Sequence, residues 1–180
     1  MPSIYLIANN PNYVNNNLKI PKKDDIIVRF NHGSINTLKL FNGITNILVL
    51  RVNQHGFHGI KNNTIINKYI ISTKDIYNTK FYVLIWNNKQ LNDVINNTKI
   101  NDNINIDNII ISENSPSFLN KSPSSGFVFL NYIIKKYKDS KIYLVGWNFH
   151  KFDLPSCHDF IQEQYIVRKL MKINENIKII

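Results

Sequence analysis

The sequence predicts a single α/β domain, spanning residues 1–180, in which a mainly parallel sheet is flanked by helices. A length of 180 residues suits one domain with a sizeable core. Six near-continuous apolar runs, rich in Ile, Val and Tyr, are typical of strands buried on both faces, as in parallel sheets. Helically spaced apolar residues after these runs supply the helices that cover such a sheet.

The predicted strands follow the apolar runs in chain order. The first run is SIYLIA, and a turn-rich loop, ANNPNYVNNN, comes directly after it. The six strands are predicted at residues 3–8, 24–31, 45–53, 80–86, 108–112 and 141–147. The closing IKII is a candidate for a further strand, and the Asn-rich segment 87–107 is predicted as a loop with room for one helix.

Two helices are predicted from apolar residues at helical spacing, at 123–137 and 157–173. In the first, Ser122 is the expected N-cap, and Pro123 falls at the first helical position, where its missing N–H costs nothing.

The residues that open the first helix, in the stretch KSPSSGFVFL, form a candidate anion site. The N–H groups of Ser124, Ser125 and Gly126 lie at the positive end of the helix dipole, with two hydroxyls beside them, and Gly126 lets a ligand approach the backbone. A simple helix cap is the alternative, and this stretch read alone favours the cap.

The second helix begins in LPSCHDFIQEQ, where Ser156 and Asp159 have the spacing of a capping box. His158 is then expected in the first turn, where the helix N-terminus favours a neutral imidazole near pH 7 that can accept a proton. Glu163, on roughly the same face as Asp159, would fix the first turn or orient the histidine. A capped surface helix with an incidental histidine is the alternative.

Polar residues follow the predicted strands at the edge where an open α/β sheet binds its ligands. They include Asn9 and Asn10 after the first strand and Asn31 after the second, whose amides can read a ribose or a base edge. Arg29, inside the second strand, is expected to point into a polar pocket or to solvent. Turn-forming asparagines are the alternative.

Composition limits the partners and the compartment. The formal net charge of +10 favours anionic partners such as nucleotides, nucleic acid or an acidic membrane face. One cysteine, Cys157, excludes an intrachain disulfide and suits a reducing compartment. No signal peptide or transmembrane run is predicted, so we expect a cytoplasmic protein, with peripheral membrane contact left open.

Taken together, VRFN, SPSSGFVFLNYI, IYLVGW and HDFIQE, in this order, resemble the sialyltransferase-like glycosyltransferases, glycosyltransferase family 29 and its short bacterial or viral relatives. The resemblance covers most of the chain. It implies a Rossmann-like domain of a GT-A variant that moves an acidic sugar, sialic acid or keto-deoxy-octulosonate, from a CMP-linked donor to a glycan or glycolipid hydroxyl. It also implies inversion at the anomeric centre, with neither a metal nor a cofactor.

The same resemblance implies roles for individual residues. His158 would be the general base, with Glu163 as the second catalytic residue. The residues implied in donor binding are Asn9, Asn10, Arg29, Asn31, Ser124, Ser125 and Gly126. The short chain leaves little room for a separate acceptor lobe, so a partner chain or a homodimer is one way to complete the site.

Other chemistries are weaker alternatives. His55 and His58 have a metal-like spacing to which Cys157 and His158 could add two ligands. They are expected instead to line the acceptor side, with His150, or simply to lie in a Gly-rich loop. Cys157 paired with His150 or His158 is a conceivable nucleophile. A nucleic-acid-binding domain is not expected, because the lysines are scattered rather than striped. An inactive nucleotide- or glycan-binding module of the same fold stays open.

Overall fold

The computed structural model describes residues 1–10, 12–13, 18–31, 37, 39–53, 56–57, 79–85, 106–111, 122–147 and 158–180. Within these ranges the chain forms a layered α/β fold. Its strands are β1 (Ile4–Ile7), β2 (Ile26–Phe30), β3 (Ile47–Asn53), β4 (Gly56–Phe57), β5 (Lys80–Ile85), β6 (Ile106–Ile111), β7 (Ile142–Val145) and β8 (Ile177–Ile179). Its helices are α1 (Ser125–Lys136), α2 (Phe160–Ile173) and the 3-10 helix Leu40–Gly43.

The predicted parallel sheet is confirmed. Its order is β6-β5-β3-β2-β1-β7-β8, with every neighbouring pair parallel, and β4 adds a short antiparallel pair to β3. The chain builds outward from β1 as far as β6 and then returns to the other side of β1 for β7 and β8. The strand order therefore reverses between β1 and β7. In open parallel sheets, the carboxyl ends of strands at such a reversal leave a crevice that binds ligands.

Both faces of the central strands are buried, as their continuous apolar runs predict. On one face, Ile4, Leu6 and their neighbours pack against α1 and α2. On the other face, Tyr5 and Ile7 pack against loop residues such as Leu18. Both α-helices therefore cover the same face of the sheet, whereas Leu40 and Phe41 of the 3-10 helix pack on the other.

Both helices begin later than the sequence predicts. The N-cap of α1 is Ser124, whose Oγ accepts a hydrogen bond from the Phe127 N–H at 3.2 Å, so Pro123 precedes the helix. The N-cap of α2 is Asp159, whose carboxylate accepts from the Gln162 N–H at 3.1 Å. In each case the N-cap side chain lies further along the chain than the predicted cap. It accepts a hydrogen bond from an N–H that the helix itself leaves unpaired, and this bond decides where the helix starts.

The other element predictions need small changes. β6 begins at residue 106 rather than 108, and the closing IKII contributes β8. β4 was not predicted, because two residues are too short to show a strand pattern. Most of the predicted loop 87–107 lies outside the described residues. No helix within the described ranges has both the length and the apolar character needed to cross a membrane.

Candidate functional site

A pocket of about 230 Å³ lies in the crevice where the strand order reverses. Its walls come from the ends of β1, β2 and β7 and from the starts of α1 and α2. The lining residues are Ala8, Asn9, Asn10, Phe30, Asn31, Ser124, Ser125, Gly126, Gly146, Trp147, His158, Phe160 and Glu163. Every predicted site residue within the described ranges, except Arg29, therefore lines one pocket.

Two asparagines after β1 form hydrogen bonds that connect the strands around this pocket. Asn9 donates from Nδ2 to the carbonyl of Phe30 at 2.9 Å, which ties the end of β1 to the end of β2. The buried Asn10 donates from Nδ2 to the carbonyl of Gly146 at 3.2 Å, and its Oδ1 accepts from the Asn12 N–H at 3.0 Å. Asn10 thus joins β1 to the end of β7, across the strand reversal.

Asn31 similarly connects the end of β2 to β3 by hydrogen bonds. It adopts a left-handed backbone conformation, with φ of 47°, which asparagine tolerates better than most residues. Its N–H donates to the Val49 carbonyl at 2.8 Å, and its Oδ1 accepts from the Arg51 N–H at 2.9 Å. Asn31 Nδ2 and Asn9 Oδ1 have no hydrogen-bond partner among the described residues, so both remain available to a ligand.

The start of α1 presents a smaller anion site than the sequence predicts. The N–H of Ser124 already donates to Glu163 Oε1 at 2.6 Å, and its hydroxyl donates to Glu163 Oε2 at 2.7 Å. The N–H groups of Ser125 and Gly126 belong to the first turn and have no intrahelical partner. Ser125 lines the pocket and is 8% exposed, and its hydroxyl has no partner within the described ranges. These three donors remain for a ligand.

Gly126 serves a packing role that the sequence did not suggest. A Cβ at this position would lie 3.1 Å from two ring carbons of Trp147, so the glycine makes room for the indole. Trp147 is buried, and its Nε1–H donates to the Leu6 carbonyl at 2.9 Å. The close approach predicted for a ligand at Gly126 is thus made by the protein's own tryptophan.

Gly126→Ala is expected to destabilise the fold by about 1–2 kcal/mol, because overpacking outweighs the gain in helix propensity. The Trp147 indole has little freedom to move away, since its hydrogen bond to Leu6 holds it. Urea unfolding followed by tryptophan fluorescence, with Trp86 replaced by phenylalanine in both proteins, measures the change. A variant as stable as its parent, with an unshifted emission maximum, would contradict this packing.

His158 is oriented by the chain segment that precedes α1. Its Nδ1 lies 2.8 Å from the Ser122 carbonyl, and a carbonyl can only accept, so Nδ1 carries the hydrogen. In the neutral ring, Nε2 is then the proton acceptor. The ring also contacts Phe160 edge-on, with centroids 5.6 Å apart. His158 precedes the N-cap rather than lying in the first turn, which corrects its predicted position.

Glu163 is a buried carboxylate at the floor of the site. It is 1% exposed, and both of its oxygens accept hydrogen bonds from Ser124. It therefore holds the first turn of α1, whereas the sequence suggested that it would fix its own helix or orient His158. The partly buried Ser124 connects the two helix starts, and we name this arrangement, Glu163 bonded to Ser124, the carboxylate clamp.

Burial raises the pKa of Glu163 above the ordinary 4.5, and the hydrogen bonds from Ser124 and the nearby Arg51 guanidinium oppose this only in part. A raised carboxyl pKa means that the folded state binds the proton more tightly than the unfolded state does. The resulting stability is present below about pH 4.5 and is lost as the pH rises through the folded-state pKa.

Glu163→Gln removes this titration and keeps the shape of the side chain. We therefore expect the wild-type free energy of unfolding to fall, relative to the variant, as the pH rises above about 4.5. Urea unfolding of both proteins at several values between about pH 4 and pH 8 gives the difference. A difference that does not change with pH would show that Glu163 has the same pKa in both states.

Arg29 lies outside the pocket, which corrects its predicted contact with the donor. It is buried on the face of the sheet opposite α1. In the register of β2 and β3, Arg29 pairs with Leu48, whereas Val49, which packs in the core beneath α1, pairs with Phe30. Its Nε donates to Thr45 Oγ1 at 3.0 Å, and its guanidinium also donates to the carbonyls of Thr37 and Leu40. Arg29 thus holds the connection that leads to β3.

Arg51 is the residue near the site that sequence reasoning missed. It is buried at the end of β3, and its Nη1 donates to the Pro123 carbonyl at 2.7 Å, directly before α1. The signal was present, since the run ILVLRVN carries an arginine two residues before an asparagine, as IIVRFN does. Side chains alternate between the two faces along a strand. Arg29 pairs with Leu48, and Arg51 lies three positions after Leu48, so the two arginines point to opposite faces.

Several predicted residues lie outside the described ranges. These are the acceptor-side histidines His55, His58 and His150, together with Cys157. Among the residues that the structure does describe, no group of three or more His, Cys, Asp or Glu side chains is placed to hold a metal ion. The expected acceptor side and the metal alternative therefore stay predictions.

No protein-family model, curated protein or solved structure matches this chain. A functional assignment therefore rests on the chemistry of the pocket and on the motifs that line it.

Proposed function

We propose that this pocket transfers an acidic sugar from a CMP-linked donor to a glycan or glycolipid hydroxyl, as a Rossmann-like, sialyltransferase-like enzyme. One observation carries the proposal. The oriented imidazole of His158 and the unpaired donors of Ser125 and Gly126 line the same pocket, at the strand reversal of a parallel sheet. A proton acceptor beside an anion site is what glycosyl transfer from a nucleotide donor requires.

In the proposed reaction, the acceptor hydroxyl gives its proton to Nε2 of His158 as its oxygen attacks the anomeric carbon. The bond from that carbon to the donor phosphate breaks with inversion, and CMP leaves with the electron pair. The N–H groups of Ser125 and Gly126 and the Ser125 hydroxyl would stabilise the negative charge on the donor's phosphate or carboxylate. Asn10 and Glu163 would position these groups, since their own polar atoms are already bonded within the protein.

The size of the pocket suggests which part of the donor it receives. Its volume of about 230 Å³ is below the 300–1,000 Å³ usual for drug-sized ligands. We propose that the acidic sugar and the phosphate occupy it, with the cytidine extending past the free amide atoms of Asn9 and Asn31. Phe30, Trp147 and Phe160 add an aromatic wall that suits a sugar face or a base.

Calorimetric titration with CMP tests the binding step, with the matched variant Ser125→Ala as control. Wild type should bind CMP, and the variant should bind about fivefold to tenfold more weakly, because one hydrogen bond to a charged group is lost. Salt-sensitive binding of DNA with no response to CMP would overturn the proposal in favour of a nucleic-acid-binding domain.

Donor hydrolysis tests the chemical step. CMP-sialic acid and CMP-keto-deoxy-octulosonate are each incubated with the protein, and release of CMP is followed. Release from one of them identifies the donor. Binding of CMP without release from either would leave the inactive binding module as the function.

A further inference from the structure

The outer face of α2 combines exposed apolar and basic side chains in an unusual way. Ile161 is 81% exposed, Tyr165 is 54% exposed and Ile173 is 82% exposed. The exposed basic residues of the same helix are Arg168, Lys169 and Lys172. With 3.6 residues per turn, all six lie within roughly 140° of one another, opposite the buried Val167. We name this surface the α2 outer face.

This surface differs from an ordinary solvated helix face. Such a face carries charges of both signs, whereas the only acidic side chain inside α2, Glu163, is buried in the carboxylate clamp. Lys169 also lies over the Tyr165 ring, with its Nζ 4.4 Å from the centroid, so basic and aromatic groups are adjacent. Basic side chains attract anionic headgroups, and exposed isoleucine and tyrosine can enter the headgroup region, so their presence on one face suits contact with an anionic bilayer.

We propose that the α2 outer face binds the surface of a membrane that contains anionic lipid. Charge complementarity selects this occupant. Basic side chains attract the anionic headgroups, and the exposed isoleucines enter the boundary between headgroups and acyl chains. The formal net charge of +10 would add a less specific attraction, which makes a matched control necessary.

The position of this face bears on the acceptor. His158 and Phe160 line the pocket, and Ile161 is the next residue along α2. Consecutive helix residues are displaced by only about 1.5 Å along the axis, so a bilayer against Ile161 meets α2 at the end that borders the pocket. This step alone rests on the proposed glycosyl transfer. If that proposal holds, the acceptor is a sugar carried on a lipid.

Vesicle co-sedimentation of the full chain, without any sugar substrate, tests the membrane contact. The vesicles contain phosphatidylcholine alone or phosphatidylcholine with about 30% phosphatidylserine, at about 150 mM salt. Wild type should sediment with the anionic vesicles and should stay in the supernatant when only neutral vesicles are present. Lys169→Glu/Lys172→Glu should bind at least about tenfold more weakly, since each basic residue near the surface contributes a several-fold gain.

The matched control is Lys19→Glu/Lys39→Glu, which makes the same charge change at exposed lysines adjoining the opposite face of the sheet. This variant should keep most of the binding. Ile161→Ser/Ile173→Ser should weaken binding while keeping every charge, which separates insertion from electrostatic attraction. Circular dichroism confirms that all variants are folded.

Three outcomes would overturn the proposal. Equal losses in the two lysine variants would show attraction by net charge alone. Equal binding to neutral vesicles would exclude recognition of anionic lipid. A dimer in sedimentation equilibrium that Ile161→Ser/Ile173→Ser dissociates would assign the α2 outer face to a second copy of the chain. None of these results depends on transferase activity, so a failure here leaves the proposed function intact.

Discussion

Replacing His158 by alanine is expected to lower the rate of sugar transfer by about 10²–10⁴-fold, the usual contribution of a general base. The variant loses Nε2, the atom proposed to take the acceptor proton, while the donors of α1 remain. Binding of CMP should therefore change little. The measurement pairs steady-state transfer kinetics with calorimetric titration of CMP.

His158→Asn serves as the matched control, because its Nδ2 can replace the hydrogen bond from Nδ1 to the Ser122 carbonyl. It restores the local structure but supplies no base. We expect it to be as inactive as the alanine variant while keeping wild-type stability. Recovery of transfer in His158→Asn would show that the histidine only holds the segment before α1, and normal turnover in His158→Ala would remove it from the mechanism.

Replacing Glu163 by alanine is expected to destabilise the fold by about 3 kcal/mol, because it leaves the Ser124 N–H and hydroxyl without their acceptor in a buried place. The loss also removes the negative charge near the Arg51 guanidinium. Urea unfolding measures the stability, and an unchanged m-value would show that the folded state keeps its compactness.

Glu163→Gln is the control for the carboxylate clamp. Its amide can accept from the Ser124 N–H and donate to the Ser124 hydroxyl oxygen, so most of the stability should return. Equal losses in the glutamine and alanine variants would mean that the charge, rather than the hydrogen bonds, holds the two helix starts together.

The parallel sheet could be predicted because its signal is strong and local. IYLI is apolar throughout and IIVRF is apolar at every position but Arg29, and burial on both faces of a sheet demands that pattern. The site could be predicted in part for a similar reason. Polar residues that directly follow parallel strands must gather at one edge, and Asn9, Asn10 and Asn31 do line one pocket.

What could not be predicted depends on contacts between distant parts of the chain. Arg29 and Arg51 occupy similar sequence patterns, and only the strand register decides which one reaches the face that carries α1. The position of the Ser124 N-cap is likewise fixed by hydrogen bonds to Glu163, 39 residues away. The sequence offers both Ser122 and Ser124 as N-caps, and local capping rules do not see the contact with Glu163 that accompanies Ser124, so the predicted helix starts two residues early.

The carboxylate clamp also constrains the order in which the protein can assemble during synthesis. β1 can pair with β2 soon after both emerge, but its other neighbour, β7, follows more than 130 residues later. The hydrogen bonds that join the starts of α1 and α2 form only when Glu163 is available to Ser124. A nascent chain that ends before residue 158 therefore has the pocket-lining Asn9, Asn10 and Asn31 but neither the His158 imidazole nor the carboxylate clamp. Ligand binding should appear as one late event, when α2 docks, rather than building up as the sheet grows.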